Sequence, residues 1–180
     1  MEKEQLEKLR YPIGKYEVPE QITEEHLKKW IGILEELPER LENAVSGMSE
    51  EQLETPYRPE GWTVRQLIHH ISDSHHHSYI RFKWGLTENN PVIKPYLEKE
   101  WSNLLDAKSA PVQMSLDHLK AVHTKLVYLL RGLSKEQLER TFRHPEGNVQ
   151  STLAENIGRY AWHGSHHYAH LQNLMDREDW

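Results

Sequence analysis

The sequence predicts an all-α protein, a four-helix bundle, on three observations. Apolar residues recur at three- and four-residue intervals in four separate segments. Two of those segments open on a threonine followed three residues later by Gln or Glu, the pattern of a capping box. No segment of useful length alternates apolar and polar residues as a half-buried strand does.

The elements follow in order. Residues 1–22 contain Pro12, Gly14 and Pro19 and read as an N-terminal arm, extended after one weak helical turn. The first helix begins at Thr23, with Leu27, Trp30, Ile31, Leu34, Leu37, Leu41 and Val45 on one stripe; Gly47 ends it. Pro38 falls inside that run and predicts a kink or a break. Thr63 caps the second helix, with Gln66 at its third position and Val64, Leu67, Ile68, Ile71, Tyr79, Phe82 and Leu86 as its apolar stripe. Residues 88–112 form a long connection between helices two and three, broken by Pro91, Pro95 and Pro111, with a short helix around Glu98–Leu105. Connections of this length inside a compact domain usually serve function or act as covers. The third helix carries Leu116, Leu119, Val122, Leu126 and Leu129; the fourth starts near Ser151 or Thr152 and runs to about Met175.

An internal echo supports this division. Ser49-Glu-Glu-Gln-Leu-Glu54 is matched by Ser134-Lys-Glu-Gln-Leu-Glu139. A Pro-Glu-Gly (59–61 and 145–147) and a histidine-bearing helix follow each of them.

Composition narrows the function classes. At 180 residues the chain reads as a single domain, 1–180, long enough to bury a core. A formal charge of −6 argues against a nucleic-acid module, which normally presents a basic face. No run approaches the ~20 apolar residues of a membrane span. MEKEQLEKLRYPIG lacks the apolar core of a signal peptide, so the expected location is cytoplasmic. With no cysteine, disulfides and thiol nucleophiles are excluded, and thirteen histidines point to an all-nitrogen metal site.

The histidines sort by helical geometry. The fourth helix holds His163, His166, His167 and His170 within eight residues. Residues at i and i+4 lie on one helix face, with Cβ atoms about 6 Å apart, so two such neutral imidazoles can chelate one metal ion. His167 falls inside the stripe of Leu153, Ile157, Tyr160, Gly164, Leu171 and Leu174, and His163 lies on its edge. The rival pair, His166 with His170, turns toward solvent. On the second helix periodicity alone selects His75 as the buried imidazole, and a buried histidine is more often a hydrogen-bonded core residue than a ligand. His70 sits on the flank, and His69, His76 and His77 read as solvated surface, as do His26, His118, His123 and His144.

Longer motifs decide between His70 and His75. Gly61-Trp-Thr-Val-Arg-Gln-Leu-Ile-His-His-Ile-Ser-Asp73, then Ser74-His75, and Trp162-His-Gly-Ser-His-His167 resemble the DinB superfamily of metal-binding four-helix bundles, and within it the YfiT-like branch. Tyr11-Pro-Ile-Gly-Lys-Tyr16, Thr55-Pro-Tyr-Arg58 and Ser78-Tyr-Ile-Arg-Phe82 extend the resemblance over nearly the whole chain. The resemblance implies that His70, before Ile71-Ser72-Asp73, is the first metal ligand, and that His163 and His167 are the other two. It also implies a metal-dependent hydrolase, in which one divalent transition metal per subunit activates a bound water, and a homodimer.

Three histidines with an open position is the pattern of a catalytic rather than a structural zinc site. Zinc is the expected metal and nickel the other candidate, since imidazole suits both. Each ligating ring needs an acceptor for its second nitrogen, for which Asp73, Glu155 and backbone carbonyls are candidates. A small-molecule substrate is expected. The alternative, which the resemblance to the superfamily also implies, is a small-thiol S-transferase of the bacillithiol type, in which the metal activates an external thiolate; a non-catalytic metal-binding stress protein is the third reading. Arg81 and Arg159 are weaker candidates for holding an anionic substrate, Tyr57, Arg58, Trp62 and Trp101 for lining a pocket, and Glu98 and Glu100 for a base. Tyr11, Ile13, Tyr16, Val92, Ile93 and Tyr96 are apolar residues that would cover the bundle or pair subunits.

Overall fold

Three threonines start three of the long helices. In the computed structural model, which describes residues 3–180, Thr23, Thr63 and Thr152 each accept a hydrogen bond from the amide three residues on. The side chain at that third position in turn accepts one from the cap residue's own amide. These reciprocal bonds satisfy amide donors that a helix start leaves unpaired. The elements are α1 (Lys3–Arg10), α2 (Glu24–Val45), α3 (Glu50–Leu53), α4 (Val64–Thr87), α5 (Glu98–Trp101), α6 (Leu105–Ser109), α7 (Val112–Arg131), α8 (Lys135–Leu138), a hairpin of β1 (Thr141–His144) and β2 (Val149–Thr152), and α9 (Leu153–Glu178). Among the described residues no helix is long and apolar enough to cross a membrane.

The long helices α2, α4, α7 and α9 form a four-helix bundle. Helix α2 packs on α7 and α9, and α4 packs on the same two, so α2 and α4 face each other across the diagonal. The apolar core falls into two clusters. One holds Leu37, Leu41, Leu67, Ile71, Leu119 and Leu171; the other holds Leu34, Phe82, Leu126, Leu130, Leu153 and Ile157. On α4 the stretch from Ser72 to Arg81 supplies no buried member of either cluster, and on α9 neither does 162–170; only the part-buried Tyr79 and Tyr168 pack against them. Histidines occupy both of these gaps, so the imidazoles form a polar layer between two apolar ones.

The echoed segments share local structure as well as sequence. Ser49 and Ser134 both cap one-turn helices, α3 and α8, through boxes closed by Gln52 and Gln137. After each, the chain reverses through its Pro-Glu-Gly and enters a long helix under a threonine cap. The reversals use left-handed backbone at Glu60 and at Gly147 and Asn148.

Four expectations need correction. The arm begins with two turns of helix rather than one, α1, before running extended; Met1 and Glu2 lie outside the described residues. Helix α2 is not broken at Pro38 but continues through it. The short helix expected around Glu98–Leu105 is two, α5 and α6. The segment before α9 contains the hairpin, with Thr141 opposite Thr152 and His144 opposite Val149. Its four-residue strands are too short for alternation to be legible, and the connection supports the edge, with Ile93 N–H donating to Arg143 O and Arg143 N–H to Pro91 O.

Candidate metal centre

Helices α4 and α9 bring three of the imidazoles together. One ring nitrogen from each of His70, His163 and His167 lies within 4.8 Å of the others. His163 and His167 are one turn apart on α9 with ring centroids 4.5 Å apart, and His70 of α4 stands 5.4 and 4.9 Å from them. His70 and His167 are buried, while His163 keeps some accessible surface. The Trp62 indole tilts against His70 at 4.5 Å.

Burial keeps these rings neutral. It pushes the His70 imidazolium down to about 4. It drives His163 and His167 well below the ordinary range, and neighbouring imidazoles add to the effect. A neutral imidazole offers a lone pair to a cation, whereas an imidazolium offers none. The Nδ1 of His167 is a buried polar atom without a hydrogen-bond partner.

His75 is wholly buried and makes hydrogen bonds on both sides, as periodicity expects. Its Nε2 lies 3.2 Å from His163 Nδ1, and its Nδ1 lies 2.9 Å from His123 Nε2. His123 Nδ1 in turn donates to the carbonyl of Leu34. The outer acceptor for His163 is therefore another imidazole. Asp73 and Glu155 do not take that place: the Glu155 carboxylate accepts from Thr152 N–H at the start of α9.

Several surface expectations fail for one shared reason: each omitted what another segment lays over the helix. His123 is 2% exposed because α7 turns it into the bundle against α2 and α4. His69 is buried between Ser115 Oγ at 2.7 Å and Ala110 O at 3.2 Å. His166 stacks on Trp162 at 4.6 Å and meets Tyr11 of the arm, while His170 lies 4.4 Å from Tyr57. The arm stays on α9 through the Tyr16 hydroxyl, which donates to Glu155 O. His26 stacks against Trp30 with part of its surface accessible, His144 is likewise part-covered, and His118 is exposed. His76 and His77 are half-buried, His77 lying flat on Tyr96 at 4.4 Å.

His166, His167 and His170 form a second group whose nitrogens lie within 4.8 Å. All three come from one helix, and His166 Nε2 and His170 Nε2 already face each other at 3.1 Å. His167 belongs to both groups.

The connection supplies one residue that sequence reading had treated only as a cover. The Tyr96 hydroxyl faces Ser74, whose Oγ is 3.5 Å from His163 Nε2, and burial raises the phenol above its ordinary range. The other missed feature is the state of Arg81. It is 9% exposed, its Nη1 donates to Tyr160 Oη, its Nε has no partner, and no carboxylate pairs with it among the described residues. Glu98 and Glu100 of α5 are exposed.

Comparison with known proteins agrees with this architecture. Residues 33–171 match the DinB superfamily. A protein of Oceanobacillus iheyensis named "Putative metal-dependent hydrolase" is 50% identical over 171 residues, covering 95% of this chain and 98% of that one. A relative of the same name from Bacillus mycoides is 50% identical over 175 residues, covering 97% and 100%. The solved structure of YfiT from Bacillus subtilis, described as "a probable metal-dependent hydrolase with an unusual four-helix bundle topology", superposes with a TM-score of 0.94 at 48% identity, over 96% of this chain and 99% of that one. The chain belongs to the DinB superfamily.

Proposed function

We propose that His70, His163 and His167 hold one divalent transition metal, zinc by preference, and that the protein is a metal-dependent hydrolase. The observation that carries this reading is the convergence of three neutral imidazoles from two helices onto one point, with ring nitrogens within 4.8 Å. The donor set fits a borderline cation: three nitrogens, no carboxylate and no thiolate. The partnerless buried Nδ1 of His167 and the accessible edge of His163 support the same reading. The relatives' names agree with it.

A cation with an open position supplies Lewis-acid activation of water at neutral pH. The protein's own residues do the rest. His70, His163 and His167 fix the site; Trp62 covers His70 from the loop side. Ser74 places a hydroxyl beside His163, and the Tyr96 hydroxyl backs Ser74. Arg81, whose charge reaches His163 and whose Nε is buried without a partner, favours a substrate carrying an anionic group.

The test pairs elemental analysis with turnover. Purified protein contains one equivalent of a divalent metal and hydrolyses activated esters; a chelator abolishes turnover and zinc restores it. Turnover that requires an added small thiol identifies the transferase instead, and stoichiometric metal without turnover of either kind identifies a binding protein.

A further inference from the structure

We infer that His75 and His123 are positioning residues that set the tautomer of His163, through a hydrogen-bonded chain anchored on the backbone carbonyl released by Pro38. The inference rests on the metal reading above only for its consequence; the chain itself is independent of it.

The chain starts on α2. In an α-helix the carbonyl of residue 34 accepts from the amide of residue 38, but proline has no N–H, so the Leu34 oxygen needs another donor. His123 of α7 supplies it through Nδ1. A carbonyl only accepts, so the proton of His123 must sit on Nδ1. A neutral imidazole carries one proton, which leaves His123 Nε2 with a lone pair.

That lone pair faces His75 Nδ1 at 2.9 Å, so His75 must be protonated there and bare at Nε2. The bare His75 Nε2 faces His163 Nδ1 at 3.2 Å, so His163 carries its proton on Nδ1. The nitrogen left with a lone pair is His163 Nε2, which also faces the Ser74 hydroxyl. No ring in the series can reverse, because Leu34 cannot donate. Each is neutral, since among the described residues no carboxylate touches His75 or His123, which are 0% and 2% exposed. In water a free histidine favours the opposite tautomer, Nε2–H. The fold thus holds His163 in the form that presents Nε2 to a cation, and the hydrogen bond its Nδ1–H donates to His75 makes that Nε2 a stronger donor to metal.

Two measurements test this. Two-bond 1H–15N correlation spectra of metal-free, 15N-histidine-labelled protein should show protonated Nδ1 on His123, His75 and His163. Protonated Nε2 on His75 or His163 overturns the inference. Zinc affinity, read by competition with a chromophoric chelator, should fall about 10–100-fold in His123→Leu. It should be retained in His123→Gln, whose amide keeps a donor for Leu34 and an acceptor for His75. Folded His123→Leu with wild-type affinity overturns the positioning role, as does His123→Gln as weak as Leu. Wild-type protein that takes up no zinc defeats the metal reading instead, a result the tautomer spectra do not depend on.

Discussion

His123 on α7 donates its Nδ1 proton to the carbonyl of Leu34 on α2, the acceptor four residues before Pro38. A proline in mid-helix removes one backbone bond and is usually costly. Here the freed acceptor is satisfied by a side chain from a neighbouring helix, and α2 continues through Pro38. The same bond sits at the far end of the imidazole series that reaches His163.

Replacing His70, His163 or His167 singly by Ala should abolish stoichiometric metal while leaving helical circular dichroism near that of the wild type. His75→Ala serves as the contrast, costing stability more than direct coordination. Full metal content in folded His163→Ala would remove α9 from the site.

Acid should destabilise the metal-free protein. Burial holds His123 down to about 4, against 6.5 in an unfolded chain. Between those values the unfolded state binds a proton that the folded state refuses. Stability is therefore intact above pH 6.5 and falls as the pH drops toward 4, by about 3 kcal/mol for this group alone. Asp73 works in the opposite sense, because burial and the charge of Asp106 raise it to about 6 and favour its protonated folded form. The buried imidazoles outnumber it. Urea midpoints of chelator-treated protein at pH 7.5 and pH 5 should differ accordingly, and His123→Gln should narrow the difference by the share of this one group. Equal midpoints would show that His123 titrates normally.

Gly164, between the two α9 histidines, permits a close approach. A Cβ there would lie 2.4 Å from Leu37 Cδ2 and 3.4 Å from His75 Cε1. Leu37 is wholly buried and has little room to yield. Gly164→Ala should cost about 1–3 kcal/mol by overpacking, despite its better helix propensity. A urea midpoint equal to or above that of the wild type would contradict the packing described for α2 against α9.

Arg81→Gln should leave metal content unchanged and raise KM for anionic esters more than for neutral ones, because among the described residues no carboxylate pairs with its guanidinium. Equal changes for both substrate types would assign Arg81 to the structure of the Tyr160 neighbourhood alone.

Much of the bundle was legible because its signals are local. Apolar spacing marked α2, α4, α7 and α9, and Thr63 with Gln66 and Thr152 with Glu155 marked two helix starts within a residue. The family motifs singled out His70, His163 and His167, which the fold brings together. The hairpin escaped because four residues per strand carry too little alternation. The break allowed for at Pro38 does not occur, because the local penalty is visible in sequence and its remedy, a donor on another helix, is not.

Sequence alone determined which faces of the four helices are apolar, where they begin, and that four imidazoles crowd about two turns of α9. These follow from backbone periodicity and capping, which depend on neighbours a few residues away. Tertiary structure decided which histidines are buried, which nitrogen of each carries the proton, and which cation stands without a carboxylate. Those properties belong to pairs such as His123 with Leu34, His69 with Ala110 and His170 with Tyr57, whose members are far apart in the chain and meet only when the helices pack.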